Sequence, residues 1–348
     1  MSFSDPLSPV LDAIRSRADA LDVSGDWPGE ELRQLAEAGV MRSAIPSQFG
    51  GDDESALDIH LRYERIAAAS LSVALILSQR DSACGLIDVA EAAPLRREFL
   101  PQLAKNEWFT TVGIAQLTTS RQRGAPALIA TPADGGYRLR GEIPWCTGGA
   151  HAKFIVVGAI VEGQQILFAL PRELPDVRVA APLPLVALGC THTSSVICDD
   201  ALLDPRFVLI GPTEQVLSNR RRNLSIGQSF LAMGLCRGGL DLIDKIDSTS
   251  ARQTKSEMES QLLELRDEVI NFSRATKPEA DLAARLRGQC NDLAVRITHA
   301  AVALHKGTAL LAGHPAQRLA RESMFLLVWS CPNPVIDCTV ELLAATPR

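Results

Sequence analysis

The segment Gly141–Lys153, GEIPWCTGGAHAK, sets Trp145 two residues from Thr147. It follows an alternating run, Tyr137–Gly141, and precedes an apolar one, Phe154–Ile160. In an extended strand, residues two apart share a face. An indole and a hydroxyl on one face can cover a flat polar ring system, the first by stacking and the second by one hydrogen bond. The plainer alternative is a sheet-packing Trp beside a strand Thr, since both types favour strands. Among the histidines, His151 follows this segment and His192 lies in a turn after Gly189. His299 and His305 are six apart on a helical stretch, so they do not share a face. No His, Asp or Glu spacing reads as a metal site.

These residues sit in a chain of 348 residues with 46% hydrophobic and 5% aromatic residues. That length supports a large core split into two or three domains. The net charge of -6 gives no sign of a nucleic-acid surface or a basic membrane anchor. The one basic cluster, Arg220-Arg221-Arg222, suits a solvated helix end or a phosphate contact. Eight cysteines occur without a CxxC pair, which suits reduced, buried thiols in a cytoplasmic protein. The first residues lack a basic flank before an apolar stretch, so no signal peptide is expected. Long apolar stretches are broken by Arg, Asp or His, so no membrane span is expected.

Three zones position the candidates. Residues 1–108 read as a helical domain, with helices over Leu7–Leu21, Gly29–Ala38, Ala56–Ser82 and Ala93–Lys105. Residues 109–213 carry short β-rich runs at Phe109–Leu117, Ala127–Thr131, Tyr137–Ile143, Phe154–Ile160, Gln165–Leu170, Val177–Ala180, Thr193–Cys198 and Phe207–Ile210. Turn residues separate them, as in Ala133-Asp134-Gly135-Gly136, and the pattern predicts an antiparallel barrel or sandwich. Residues 214–348 are helical again. Over Pro278–Leu311 an apolar stripe recurs every three or four residues (Leu282, Leu286, Cys290, Leu293, Ile297, Ala301, Leu304), as in a helix bundle.

Four segments resemble the acyl-CoA dehydrogenase superfamily of flavoproteins. Leu35–Gly51 resembles its N-terminal helix, Gly stop and Pro-x-x-aromatic-Gly-Gly turn. Gly113–Ser120 stands where the family has Gly-x-Ala-x-Thr-Glu-Pro. Gly136–Ala159 is similar to Gly-Tyr-x-Leu-x-Gly-x-x-x-Trp-x-Thr-x-Gly, and Leu188–Leu209 to the Leu-Gly-x-x-x-Thr-x-Ser-x-x-Val strand and its exit. The resemblance implies an α+β fold: an N-terminal helical domain, a middle antiparallel β-barrel and a C-terminal four-helix bundle. It also implies FAD between barrel and bundle, with FMN open where the hold is loose, an acyl-CoA or similar substrate, and a homodimer or homotetramer. By the same resemblance, Trp145 flanks the flavin ring, Thr147 lies near its N5, and Leu117, Thr118, Thr119 and Ser120 face its pyrimidine end.

The chain also departs from the family. The usual catalytic Glu stands nine residues after the Arg of an Arg-Asp pair. Here Arg321-Glu322 resembles that pair, and the count lands on Ser330 in WSCPNP. A serine is no base without another base beside it. The second base location of the family corresponds to Asn219–Gly234, which contains no acid. The Arg-x-x-Phe-Gly grip on adenine is reduced to Arg252. Glu322 reads as an ion-pair partner and Asp337 as exposed. For oxygen chemistry, His151 or Ser330 is the candidate beside the flavin. Three functions follow: an FAD-dependent oxidoreductase acting on the CH–CH bond of an acyl thioester, a reduced-flavin monooxygenase, or a non-catalytic subunit that completes the site of a Glu-bearing paralogue.

Overall fold

The computed structural model describes residues 5–117, 128–217, 226–275 and 279–344. Helices come first: α1 (Ser8–Ser24), α2 (Gly29–Glu37), α3 (Ala56–Ala69), α4 (Leu71–Asp88) and α5 (Ala93–Ala104). Helix α2 stops at Gly39, whose φ of 83° is left-handed, as the sequence predicts. The expected single helix over Ala56–Ser82 is instead two. Ser70 breaks it with extended angles (φ -156°, ψ 114°), and its hydroxyl accepts from Val73 N–H at 3.4 Å to start α4. A serine hydroxyl offers the backbone this alternative to continuing the helix.

Among the described residues eight strands follow: β1 (Thr110–Gly113), β2 (Leu128–Ala133), β3 (Gly136–Cys146), β4 (Phe154–Val161), β5 (Gln164–Pro171), β6 (Val177–Val179), β7 (Ser194–Leu203) and β8 (Val208–Thr213). Each overlaps a predicted run. The order is β6-β7-β3-β2-β4-β5-β8, with β1 beside β4. The sheet is mostly antiparallel. Its exceptions are β1 against β4 and the single parallel pairing of Ile129 in β2 with Ile160 in β4. Strands β1 and β2 therefore pair with different stretches of β4. The β2–β3 hairpin turns through Gly135 (φ 82°) and Gly136 (φ 144°), where a Cβ would stand 2.0 Å from the Leu203 carbonyl oxygen. Only glycine fits there.

The C-terminal helices are α6 (Gly227–Asp244), α7 (Thr249–Arg274), α8 (Ala280–His305), α9 (Pro315–Val328) and α10 (Asn333–Ala344). Helices α6 to α9 pack on one another as the expected four-helix unit, and α10 adds itself to α8. Hydrophobic cores cross the three sequence zones. One joins α1–α4 to α6–α9, a second joins α4 and α5 to one side of the sheet, and the third lies within the sheet. Contact between α3 and α6 is close. A Cβ on Gly234 would meet the Glu64 carbonyl oxygen at 2.3 Å. The Glu64 carboxylate, itself buried, accepts from Arg237 of α6 and from Arg266 of α7. Among the described residues no helix is long and apolar enough to cross a membrane.

Candidate functional site

Trp145 and Thr147 do not share a strand face. Strand β3 pairs Ile143 with Val196 and Cys146 with Ser194, so it carries one extra residue against β7. That is a β-bulge. It gives Trp145 a left-handed φ of 57° and leaves the residue 57% exposed, while Thr147, just past the strand end, is 6% exposed. A bulky side chain at positive φ is strained by about 1–3 kcal/mol, and such strain clusters at functional positions. Trp27, Trp108 and Trp329 each stack on or abut another ring, whereas none of the ring pairs among the described residues includes Trp145.

Thr147 begins a buried hydroxyl relay. Its Oγ1 lies 3.1 Å from Thr193 Oγ1, which lies 2.8 Å from Thr191 Oγ1, which donates to the Leu188 carbonyl at 2.8 Å. The carbonyl end fixes the direction. Thr191 spends its one proton on Leu188, so Thr193 donates to Thr191 and Thr147 donates to Thr193. The Thr147 hydroxyl therefore keeps only acceptor capacity for anything else.

The structure joins two histidines that the sequence treats apart. His192 Nε2 donates to the Gly25 carbonyl at 3.0 Å, so His192 Nδ1 accepts from His151 Nε2 at 2.9 Å. His151 stacks on Trp27 with centroids 4.0 Å apart. Gly148 leaves room for this, since a Cβ there would meet Trp27 at 2.7 Å. Burial, then His192 and Arg172, pull the His151 ring below its ordinary pKa. In its neutral form, with Nε2 donating to His192, His151 leaves Nδ1 unprotonated. His299 and His305 bond the carbonyls of Val295 and Ala301 on their own helix.

The Leu117 side chain is core. A Cβ on Gly158 would come within 2.2 Å of it, so only the Leu117 backbone can serve a ligand. Thr118, Thr119 and Ser120 lie outside the described residues, as do Arg220, Arg221 and Arg222. Arg252 pairs with Asp247 at 2.7 Å.

Ser330 follows the end of α9 in left-handed conformation (φ 49°). Arg287 of α8 holds this turn, donating to the Trp329 carbonyl at 2.5 Å and the Ser330 carbonyl at 3.2 Å. Sequence reasoning missed Arg287, because carbonyl partners leave no trace in residue types. Burial is the main influence on its pKa and lowers it. Burial also pushes the neighbouring Cys331 thiol up. The nearby acids do not reach residue 330 as free bases. Glu322 is buried and bonded to Arg318 at 3.0 Å, which also holds Asp19 at 2.7 Å. Asp337 is exposed on α10.

Helices, then a mostly antiparallel sheet, then a helix bundle define the acyl-CoA dehydrogenase class of fold. Residues 10–107 match the family "Acyl-CoA dehydrogenase, N-terminal domain". A probable acyl-CoA dehydrogenase of Bacillus subtilis, YngJ, is 21% identical over 341 residues, 90% of this chain and 89% of that protein. Butyryl-CoA dehydrogenase from Megasphaera elsdenii superposes with a TM-score of 0.81 at 20% identity, over 99% of this chain and 100% of its own. Dibenzothiophene monooxygenase TdsC from Paenibacillus sp. A11-2 superposes at 0.78 with 17% identity, covering 97% and 95%. Together these matches support the acyl-CoA dehydrogenase superfamily.

Proposed function

We propose that this protein is a flavin-dependent oxidoreductase whose ring-binding residues are Trp145 and Thr147. The observation that carries this reading is the strained, solvent-facing indole beside an inward-donating hydroxyl. A flavin fits these residues: its flat ring needs an apolar face, and its N5 is a donor when reduced. Bound FAD, or FMN, would supply hydride or electron-pair exchange. Trp145 stacks and excludes water. Thr147 accepts one hydrogen bond, and the backbone at 117 with Thr118, Thr119 and Ser120 offers donors to the opposite end of the ring.

The substrate in the first reading is an acyl thioester or a related small molecule oxidised at a CH–CH bond. Ser330 favours a second reading within the same class, a reduced-flavin monooxygenase. Residue 330 brings no carboxylate, Glu322 is committed to Arg318, and the Thr147 acceptor suits a reduced ring. A subunit that completes a Glu-bearing paralogue's site is the third reading, on the same Ser330. Exposed Ile336, Val340 and Leu343 fall along one side of α10 and support assembly, as a homo-oligomer or with that paralogue. The eight free thiols support a cytoplasmic setting, and segments 1–108, 109–213 and 214–348 are taken as the domains.

The test is an absorption spectrum of the purified chain, loaded with FAD or FMN and then desalted, beside Trp145→Ala. Retained flavin in wild type and loss in the variant are expected. A wild type that releases both flavins, oxidised and reduced, overturns the reading. Bleaching by an acyl-CoA without oxygen selects the dehydrogenase. Oxygen consumption coupled to product from reduced flavin selects the monooxygenase.

A further inference from the structure

Two polar side chains in the first half of α8 are buried without the partners they need. Arg287 is 5% exposed and Asn291, one turn on, is 1% exposed. This spacing sets them side by side. Both Nη atoms of Arg287 are spent on the Trp329 and Ser330 carbonyls. Its Nε–H has no partner, and neither does the Asn291 Nδ2 or Oδ1. Both side chains border the turn that carries Ser330. Arg287 Nη2 is 3.4 Å from Cys331 Sγ, and the Asn291 side chain lies near enough to the same thiol to lower its pKa, against the larger upward push of burial.

A buried guanidinium without a carboxylate is unfavourable, because burial strips its water and nothing returns the charge. The groups that act on Arg287 are carbonyls and the Cys331 and Cys290 thiols. Residues 1–4, 118–127, 218–225, 276–278 and 345–348 contain no Asp or Glu. Capping the end of α9 explains two nitrogens of Arg287. It explains neither the uncompensated charge nor the orphaned amide of Asn291.

We infer that Arg287 and Asn291 form a binding site for one carboxylate group of a small molecule, seated behind Ser330. One positive charge calls for a monoanion. Two unused donors, Arg287 Nε–H and Asn291 Nδ2–H, match the two oxygens of a carboxylate. The inference rests on the reading that residue 330 faces substrate, and it narrows that substrate to one with a free carboxylate beyond its reacting carbons.

The experiment uses the purified, flavin-free full chain, so its outcome is separate from whether flavin binds. Sodium acetate and sodium benzoate are titrated against sodium chloride at constant ionic strength. Thermal midpoint and intrinsic tryptophan fluorescence are followed. Wild type should show saturable stabilisation by at least one carboxylate, and Asn291→Leu should weaken that binding roughly tenfold by losing one charge-assisted hydrogen bond. Arg287→Met should abolish it. Should Arg287→Met fail to fold, Asn291→Leu decides. No saturable response in wild type, or equal responses in wild type and Asn291→Leu, overturns the inference.

Discussion

Removing the middle hydroxyl of the relay tests whether its direction matters to a bound flavin. In Thr193→Val the proton of Thr147 loses its acceptor 3.1 Å away, while Thr191 keeps its bond to Leu188. Free of its inward bond, the Thr147 hydroxyl can donate to the oxidised ring, whose N5 is an acceptor. It also stops being held as an acceptor for the reduced ring. Each change is worth about 1 kcal/mol, so oxidised flavin gains roughly 2 kcal/mol over reduced flavin. For a two-electron couple that lowers the midpoint potential by about 40 mV. The assay is a dye-coupled spectroscopic reduction of flavin-loaded wild type and variant. The flavin-free variant should also lose about 1–3 kcal/mol of stability, because a buried hydroxyl is left unpaired. A lower thermal midpoint with an unchanged or higher potential would refute the reasoning, since the relay would then exist without touching the flavin.

Other outcomes follow from the same structure. Gly148→Ala forces a Cβ toward Trp27 at positive φ and should cost about 2 kcal/mol, read as a lower thermal midpoint; an unchanged midpoint would count against the Trp27–His151 stack. His60 is buried with both ring nitrogens unpartnered, and burial lowers its pKa to about 4. A base with a depressed folded pKa gives stability that is present above the unfolded value of about 6.5 and lost as pH falls toward 4, here roughly 2–3 kcal/mol. Chemical denaturation across that range should show the loss, and His60→Leu should flatten it. Ser70→Ala removes the hydroxyl that starts α4 and should cost about 1 kcal/mol in urea unfolding. Glu at position 330, as Ser330→Glu, should raise any acyl-CoA dehydrogenation by flavin-loaded protein, measured with an artificial electron acceptor; a decrease would give Ser330 a role of its own.

The element order was readable because it rests on period. Alternation marked the strands and the three-to-four repeat marked α8. What escaped was set by single backbone decisions or by distant partners. Nothing around Ser70 interrupts the apolar pattern, so the break between α3 and α4 was invisible until its hydroxyl was seen to cap. The bulge at Trp145 depends on register against β7, so the shared-face argument failed although both residues lie where the motif places them. His151 and His192 are separated by 41 residues and bond each other directly, with His192 oriented by the Gly25 carbonyl, which no spacing rule encodes. Asp337 and Glu322 were legible, because charge type and helical position forecast one exposed acid and one ion pair.

The close seat of α3 on α6 also bears on how the chain is made. Glu64 and Gly234 lie 170 positions apart, so during synthesis the first helices leave the ribosome long before the surface that covers them. Their apolar faces stay exposed while the sheet is produced, a period in which chains of this size are prone to aggregate and to attract chaperones. The early helices and the late bundle then close together, over a large chain separation, which favours slow assembly. Truncation after the last strand should therefore leave a sheet attached to unsatisfied helices, and a nascent chain stalled there should be the most vulnerable to proteolysis.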